Sequence, residues 1–313
     1  MKWHNKRVLV TGAAGFLGHH LIKALNELGV EIVALDNFST GIRENLTFFN
    51  GIVIRADVAE TDAIALCRLI QQDIDFIYHL GSPCSVILFN KNPTWAFNNT
   101  VGGFINIMEF AVKKQVKKVV YASSGSVYGR CGLPQSEGDT PKPVNLYGIA
   151  KLTCEKIASF YDDEVRSVGL RIFAGYGPGE EHKGNMASPV TIFLRSILNS
   201  QPPIVYGDGT QSRDFVYVDD VITALVRSAE KSVPAIINVG SGRSYTFNYV
   251  IELMNEMLGK NVKPRYIPKP VKYLERTQAD IRLMKKYLGI NPIPLEKGLE
   301  KYIEYVIQHS GFS

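Results

Sequence analysis

The sequence predicts an α/β fold built on a doubly wound parallel sheet, and three observations support this prediction. Short apolar runs of strand length alternate with stretches of helical period over the first 173 residues. A glycine-rich turn joins the first strand to the first helix, and an acidic residue ends the second strand. Such alternation is typical of parallel strands joined by crossovers, and these sheets bind ligands at the carboxyl ends of their strands.

The bulk composition is that of a folded globular protein. The chain has 313 residues, 45% of them hydrophobic and 21% charged, enough for a full core in one large domain or two. Its net charge of +5 is small and the basic residues are scattered, so we expect no nucleic-acid partner. No apolar run reaches the length of a membrane span, so we expect no membrane association.

The cysteines and the beginning of the chain indicate a cytoplasmic location. The four cysteines are far apart and form no C-x-x-C pair, so we expect neither a disulfide framework nor a metal site. Residues 1–4 lead almost directly into a strand, without the layout of a signal peptide.

The first strand–helix–strand unit carries a dinucleotide-binding pattern. The run Arg7–Thr11 is followed by Gly12-Ala13-Ala14-Gly15-Phe16-Leu17-Gly18, a helix-period stretch and the apolar run Glu31–Asp36. The glycines let the chain approach a pyrophosphate at the start of the helix. Asp36 would accept hydrogen bonds from the adenosine ribose, and its charge disfavours a 2′-phosphate. The pattern therefore predicts NAD in preference to NADP.

The alternation continues to residue 173. We expect strands at residues 52–54, 76–80, 118–122 and 170–173, and helices at 62–71, 94–114 and from residue 146 onward. Polar residues follow three of these strands, at Asp57, Gly81-Ser82 and Ser123-Ser124. Because parallel strands end at one edge of a sheet, these residues are expected to share a single site.

The second half of the chain is rich in proline and glycine and is less regular. Helices are expected at residues 190–198 and 246–258, the second with Thr246 as its N-cap. Residues 215–229 are expected to form a strand and helix that return to the sheet. We predict a Rossmann-type NAD-binding domain of residues 1–173 and about 214–241. A smaller interleaved C-terminal lobe, residues 174–213 and 242–313, would bind the substrate.

A tyrosine and a lysine lie four residues apart near the start of the predicted helix at residue 146. This spacing places Tyr147 and Lys151 on one helical face. A phenol titrates near about pH 10, and a nearby ammonium is expected to lower the pKa of Tyr147 toward the range of a general base. The same spacing occurs by chance on many exposed helices, so its weight depends on the polar strand ends beside it.

Together these motifs resemble those of the extended short-chain dehydrogenases/reductases, in the group of NAD-dependent nucleotide-sugar epimerases and dehydratases. The likeness is greatest to members similar to UDP-glucose 4-epimerase, and it spans nearly the whole chain. Besides the motifs above it includes Leu35-Asp36-Asn37-Phe38-Ser39-Thr40-Gly41, Ala122-Ser123-Ser124-Gly125-Ser126-Val127-Tyr128-Gly129, Tyr147-Gly148-Ile149-Ala150-Lys151 and Gly207-Asp208-Gly209-Thr210-Gln211-Ser212-Arg213-Asp214-Phe215.

The resemblance implies a role for each candidate residue. Tyr147 would be the catalytic base, Lys151 its electrostatic partner and a ligand of the nicotinamide ribose, and Ser124 the hydroxyl that orients the sugar. Ser126 and Arg213 would contact the substrate, Arg213 at its diphosphate. The residues implied to bind NAD are Gly12, Gly15, Phe16, Leu17, Asp36, Asn37, Asp57, Val58, Leu80, Gly81, Ser82, Tyr147 and Lys151.

The resemblance also ranks the possible reactions. Family dehydratases usually carry an Asp-Glu pair after the serine or threonine, and family decarboxylases a glutamate before Val-Tyr-Gly. Gly125 and Ser126 occupy these positions here. An epimerase needs no extra acid, so the sequence favours a UDP-hexose 4-epimerase that forms a transient 4-keto sugar. A 4,6-dehydratase or a UDP-glucuronate decarboxylase is the alternative, and a non-catalytic NAD-binding protein is a minor one.

Several positions depart from the family pattern and leave the sugar and the nucleotide open. Ser82-Pro83 is more typical of the decarboxylases, and Ala174 replaces an asparagine that helps to hold the diphosphate. Residues 180–185 are unlike those of the commonest epimerases. The usual Arg-x-Gly-Asp element is missing, and Lys272 or Arg276 is expected to supply its charge.

Other polar residues have a structural as well as a functional interpretation. His182 either contacts the sugar or is a solvated loop residue, and Tyr128 either stacks near the sugar or packs the sheet. Cys84, Cys131 and Arg171 are expected to be structural.

Four apolar residues are expected on the outer faces of the helices at 94–114 and from residue 146: Phe97, Phe104, Ile157 and Phe160. The resemblance implies that these two helices pair with their copies as a four-helix bundle, which would make the protein a homodimer.

Overall fold

The structure is a computed structural model that describes Trp3, residues 5–270 and residues 273–309. The strands are β1 (Arg7–Thr11), β2 (Glu31–Asp36), β3 (Ile52–Arg55), β4 (Phe76–His79), β5 (Lys118–Ser124), β6 (Ser167–Ile172), β7 (Ala174–Tyr176), β8 (Ile204–Tyr206), β9 (Ser212–Arg213), β10 (Phe215–Tyr217), β11 (Ile236–Val239), β12 (Tyr245–Thr246) and β13 (Arg265–Ile267).

The α-helices are α1 (Phe16–Glu27), α2 (Ala63–Leu69), α3 (Val86–Lys91), α4 (Pro93–Lys113), α5 (Leu146–Phe160), α6 (Pro189–Leu198), α7 (Val218–Glu230), α8 (Phe247–Leu258) and α9 (Leu295–His309). Short 3₁₀ turns occur at Arg43–Leu46, Gly125–Val127 and Glu181–Met186, and a π-helical turn at Met284–Leu288. Within the described residues, no helix is both long enough and apolar enough to cross a bilayer.

Seven strands form one parallel sheet in the order β3-β2-β1-β4-β5-β6-β11. The order reverses between β1 and β4, and ligands of doubly wound sheets bind at this switch point. The predicted Rossmann-type fold is therefore confirmed. The remaining strands form three two-stranded ribbons, β7 with β10, β8 with β13 and β9 with β12.

Two helical layers cover the sheet, and alternate residues of β1 show why both faces are buried. Val8 and Val10 belong to the core formed with α1 and α7, whereas Leu9 belongs to the core formed with α4 and α5. The first of these cores continues into α6, α8 and α9. One core therefore spans both predicted units, and the division into two domains stays a prediction.

Side-chain caps fix where the helices begin. Asp62, Asn145 and Thr246 accept hydrogen bonds from backbone N–H groups in the first turns of α2, α5 and α8, at 2.8, 2.8 and 3.2 Å. The cap at Thr246 was expected. The cap at Asn145 places Tyr147 in the first turn of α5, at the edge of the sheet where the strands end.

Two structural expectations were wrong. β10 does not return to the large sheet but pairs with β7, because the backbone turns away after β6 and the Ala174 N–H donates to the Asp214 carbonyl. Only β11 returns. Phe104 does not face outward: its side chain is fully buried, and its ring lies 4.8 Å from that of Tyr121 because this face of α4 packs on the sheet. Phe160 is exposed, as expected.

Candidate active site

A cavity of about 420 Å³ opens at the carboxyl ends of the central strands. Its wall contains the following residues that the sequence analysis assigned to catalysis, NAD or substrate: Gly12, Gly15, Phe16, Leu17, Asp36, Asn37, Asp57, Val58, Leu80, Gly81, Ser82, Ser124, Ser126, Tyr147, Lys151 and Arg213. The structure thus brings the candidates together in one place, while the role of each remains a prediction.

The glycine turn after β1 leaves no room for side chains. Gly12 has a φ of +68°, and a Cβ added there would lie 2.6 Å from the Gly81 nitrogen. A Cβ on Gly18 would lie 2.0 Å from the Gly12 carbonyl oxygen. Behind the turn, the Thr11 hydroxyl and His79 Nδ1 are 2.8 Å apart and tie β1 to β4. Burial lowers the pKa of His79 to about 3, so this imidazole is neutral at pH 7.

The end of β2 offers acceptors for a ribose. Asp36 accepts the N–H of Ala14 at 2.9 Å on one oxygen and the N–H of Phe38 at 2.7 Å on the other. Each oxygen keeps a lone pair for a further donor. Asp57 accepts the side-chain amide of Asn37 at 2.7 Å and thereby holds it in the wall. These groups and the glycine turn fit the adenosine and pyrophosphate of NAD.

Helix α5 presents Tyr147, Lys151 and Glu155 at successive intervals of four residues, on one face. Glu155 accepts two hydrogen bonds from Arg171 of β6, at 2.9 and 2.8 Å, and one from the Ser123 hydroxyl at 2.5 Å. Both members of this ion pair are buried. The pair fixes the rotation of α5, so that Tyr147 and Lys151 face the cavity. Arg171 is therefore structural, as expected.

The direction expected for the Tyr147 pKa was wrong. The Lys151 ammonium donates to the Ser82 hydroxyl at 2.7 Å and to the Ala122 carbonyl at 2.8 Å. Burial raises the pKa of Tyr147, and the hydrogen bond from Ser124 opposes this only in part. Desolvation of the phenolate therefore outweighs the one contact that lowers the pKa of Tyr147.

Arg213 presents its guanidinium in the cavity wall. It lies 5.5 Å from the ring centroid of Phe247 and 5.3 Å from that of Tyr273. Its Nη1 donates to the Ser212 carbonyl at 2.9 Å. In the part of the chain that the structure describes, no carboxylate forms an ion pair with Arg213. Its remaining donors are thus suited to a phosphate.

Comparisons with known proteins identify the family. The model described as "NAD dependent epimerase/dehydratase family" matches residues 8–240. The chain belongs to the NAD-dependent epimerase/dehydratase family. NAD is therefore its cofactor, and the glycine turn and Asp36 have the geometry that this cofactor needs.

Relatives in this family differ in activity. The chain is 30% identical to UDP-glucose 4-epimerase from Thermotoga maritima, whose structure with UDP-glucose covers 96% of this chain and 99% of that one, with a TM-score of 0.91. It is 31% identical to UDP-glucuronic acid decarboxylase 1 of Xenopus tropicalis, over 96% of this chain and 72% of that protein. It is also 31% identical to UDP-glucuronate 4-epimerase 5 of Arabidopsis thaliana, over 95% and 74%.

The structure gives different results for the residues that had both a structural and a functional interpretation. Tyr128 packs against the sheet. Its side chain is fully buried, and its hydroxyl donates a hydrogen bond to the Asn238 side chain at 2.6 Å. His182 and Cys84 line the cavity. The structural interpretation of Cys84 stays a prediction, as do both interpretations of His182. Cys131 and Arg276 are not in the cavity wall, and Lys272 lies outside the described residues.

The sequence analysis missed two charged residues of the wall, Glu180 and Lys183. They follow the loop after β7, where the charged sequence Glu-Glu-His-Lys departs from the commonest family members. That departure was the available signal. The sequence analysis connected this departure with a different substrate and did not assign Glu180 or Lys183 to the site.

Proposed function

We propose that the protein is a UDP-sugar 4-epimerase, an isomerase that oxidises the C4 hydroxyl of a UDP-hexose to a ketone and reduces it again on the other face. NAD supplies the hydride acceptor and donor for this chemistry. The distribution of carboxylates supports the proposal. Among the described residues, those in the cavity wall are Asp36, Asp57 and Glu180.

None of these acids is available for a second reaction at the sugar. Asp36 and Asp57 lie at the adenosine side, and Glu180 is bonded to Lys183 and to Thr191. A dehydratase needs an acid and a base to remove water across a carbon–carbon bond. Ser82-Pro83 is more typical of the decarboxylases, but the Ser82 hydroxyl here accepts a hydrogen bond from the Lys151 ammonium. Epimerisation needs only the tyrosine and the groups around it.

Each proposed role follows from the contacts of the residue. After losing its own proton to solvent, Tyr147 would take the proton of the C4 hydroxyl as a phenolate, and the Ser124 hydroxyl lies beside it to hold the sugar. Ser124 is itself fixed, because its oxygen accepts the N–H of Ser126 at 3.1 Å. The Lys151 ammonium would stabilise this phenolate before the transfer, and Arg213 would bind the diphosphate. We also propose that the protein is a homodimer that pairs through α4 and α5, where Phe160 is 78% exposed; a mass measurement in solution tests this.

The experiment that tests the function is incubation with UDP-glucose, UDP-N-acetylglucosamine and UDP-glucuronate, without added NAD. NMR and mass spectrometry of the products distinguish the reactions. A product of unchanged mass that is inverted at C4 is expected. Loss of water or of carbon dioxide would instead establish the dehydratase or the decarboxylase.

The mechanism is tested by Tyr147→Phe, which keeps the ring and removes the proton carrier. We expect kcat to fall about 10³-fold, because general acid–base catalysis contributes about 10²–10⁴-fold. The content of bound NAD should not change. Tyr305→Phe, on the exposed face of α9, is the matched control and should retain full activity. Full activity in Tyr147→Phe would disprove the assigned base.

A further inference from the structure

Residues 177–183, which we call the strap, follow β7 and form part of the cavity wall. Three of them, Glu180, His182 and Lys183, line the cavity. The Lys183 ammonium lies 5.3 Å from the centroid of the Phe16 ring, at the start of α1. The strap therefore closes the cavity beside the turn that fits the pyrophosphate of NAD.

One end of the strap is anchored to helices α6 and α9. Glu180 is buried and bonded to Lys183, and its other oxygen accepts the Thr191 hydroxyl of α6 at 2.7 Å. The Thr191 hydroxyl lies 3.2 Å from that of Tyr302 on α9, which also donates to Glu181 at 3.1 Å. These contacts fix residues 180–183 from the side away from α1.

The other end of the strap is held by two adjacent histidines of α1. His20 Nε2 lies 2.8 Å from the Pro178 carbonyl oxygen, which can only accept, so this nitrogen carries a hydrogen. His19 Nδ1 lies 2.9 Å from the Gly15 carbonyl oxygen and carries a hydrogen for the same reason. The His19 ring also lies directly against the strap, because a Cβ added to Gly179 would be 2.6 Å from its Nε2. The two imidazoles thus connect the strap to the cofactor turn.

Charged and titratable groups face the two histidines from α1, from α7 and from the strap itself. Lys23 disfavours a proton on either ring, and the rings are 4.2 Å apart, so a proton on His20 also disfavours one on His19. Two carboxylates favour a proton on His20, but burial outweighs them. The groups that face the pair are Lys23, Asp219, Glu181 and His182.

The closed strap therefore binds fewer protons than an open one would. Burial lowers the pKa of His19 to about 3, and it lowers the pKa of His20 as well. With the strap open, both rings would be in water, where the pKa of an imidazole is about 6.5. The stabilisation of the closed strap is thus complete above pH 6.5 and is lost as the pH falls toward 3.

We propose that His19 and His20 position the strap so that NAD stays bound, and that acid opens the strap and releases the cofactor. Because the strap is a wall of the cavity at the cofactor turn, its displacement widens the exit for NAD. The inference requires NAD as the cofactor and does not depend on the 4-epimerase reaction. Failure of the epimerase would leave it standing.

The test measures the rate at which bound NAD leaves the purified protein at about pH 7.5 and at about pH 5, with circular dichroism of the same samples to follow folding. The wild type should release NAD about 30-fold faster at the lower pH. An imidazole with a pKa of 6.5 in the open state and about 3 in the closed state favours opening by about this factor.

A conservative double variant removes the titration and keeps the contacts. His19→Asn/His20→Gln replaces the two rings by amides whose N–H groups can reach the Gly15 and Pro178 carbonyls. It should release NAD at the wild-type rate at the higher pH and show little acceleration by acid. His309→Gln, an exposed residue at the end of α9, is the matched control and should behave as the wild type does.

A third variant tests the contact itself. His20→Leu removes the donor to Pro178 and should release NAD about 2- to 10-fold faster at the higher pH, the usual effect of one hydrogen bond. A wild-type rate in His20→Leu would overturn the proposal. Equal acceleration by acid in the wild type and the double variant would overturn it as well, since acid would then act elsewhere, as on His79. Release that coincides with loss of the helical signal would do the same, because unfolding of the whole protein would explain it.

Discussion

The two sides of the cavity are built by different means. The cofactor side is formed by backbone in close contact, where the turn after β1 lies against residues 80–81 and a single added carbon would collide. The side that we propose for the substrate carries charged side chains such as Arg213, which is held by a hydrogen bond and two ring contacts. Backbone contact tolerates almost no change, whereas side chains can be exchanged while the fold persists. The fold therefore constrains the cofactor side tightly, whereas in the proposed function a few side chains set the substrate.

The largest effect is expected from Gly18→Ala, on the cofactor side. Its Cβ would lie 2.0 Å from the Gly12 carbonyl oxygen, so that the turn must move. We expect the protein to lose bound NAD and about 3 kcal/mol or more of unfolding free energy. Gly138→Ala is the control, because its Cβ would meet nothing within 4 Å and the residue has ordinary backbone angles. Normal NAD content in Gly18→Ala would show that the cofactor side tolerates substitution as well as the substrate side does.

A smaller and more selective effect is expected from Arg213→Met, on the substrate side. Hydrogen bonds to charged groups contribute about 1.5–3 kcal/mol, so the dissociation constant of UDP should rise by about one to two orders of magnitude. NAD content and unfolding free energy should stay near those of the wild type. Calorimetry with UDP measures the dissociation constant, and absorbance of the released cofactor measures the NAD content. If NAD is lost as well, the two sides are not independent.

The effect that is smallest at neutral pH concerns acid stability and sharpens the comparison on the cofactor side. Burial lowers the pKa of His79 from 6.5 to about 3, so as the pH falls below 6.5 the unfolded chain binds a proton that the folded protein refuses. The stabilisation is complete above pH 6.5 and is lost toward pH 3. His79→Gln should reduce the slope of unfolding free energy against pH by up to about 1.4 kcal/mol per unit. Urea unfolding at several pH values measures this, and an unchanged slope would contradict it.

The sequence predicted the cofactor side well because its constraints are local. A glycine turn between a strand and a helix, and Asp36 at the end of the next strand, can each be recognised within a few residues. The predicted cap at Thr246 follows the same rule. The alternation of strands then orders the sheet, since parallel strands require crossovers.

The sequence predicted the substrate side poorly because its geometry depends on distant segments. Nothing near Phe104 shows which way α4 is rotated, and nothing near Phe215 shows that β10 pairs with β7. The place of Lys183 depends on Thr191 and Tyr302, which lie in two other helices. The direction of the Tyr147 pKa also failed, because burial is a property of the assembled site and not of the i, i+4 spacing.

The ion pair between Glu155 and Arg171 has a consequence for the order of folding. The two residues are 16 positions apart, one on the helix that carries Tyr147 and the other on the strand that follows it. During synthesis from the N-terminus, α5 leaves the ribosome before β6. Until β6 joins the sheet, the inward face of α5 carries a carboxylate that the sheet cannot accept without its counter-charge. The catalytic helix can therefore dock only late, and we expect a nascent chain that ends before β6 to show helical structure without a site.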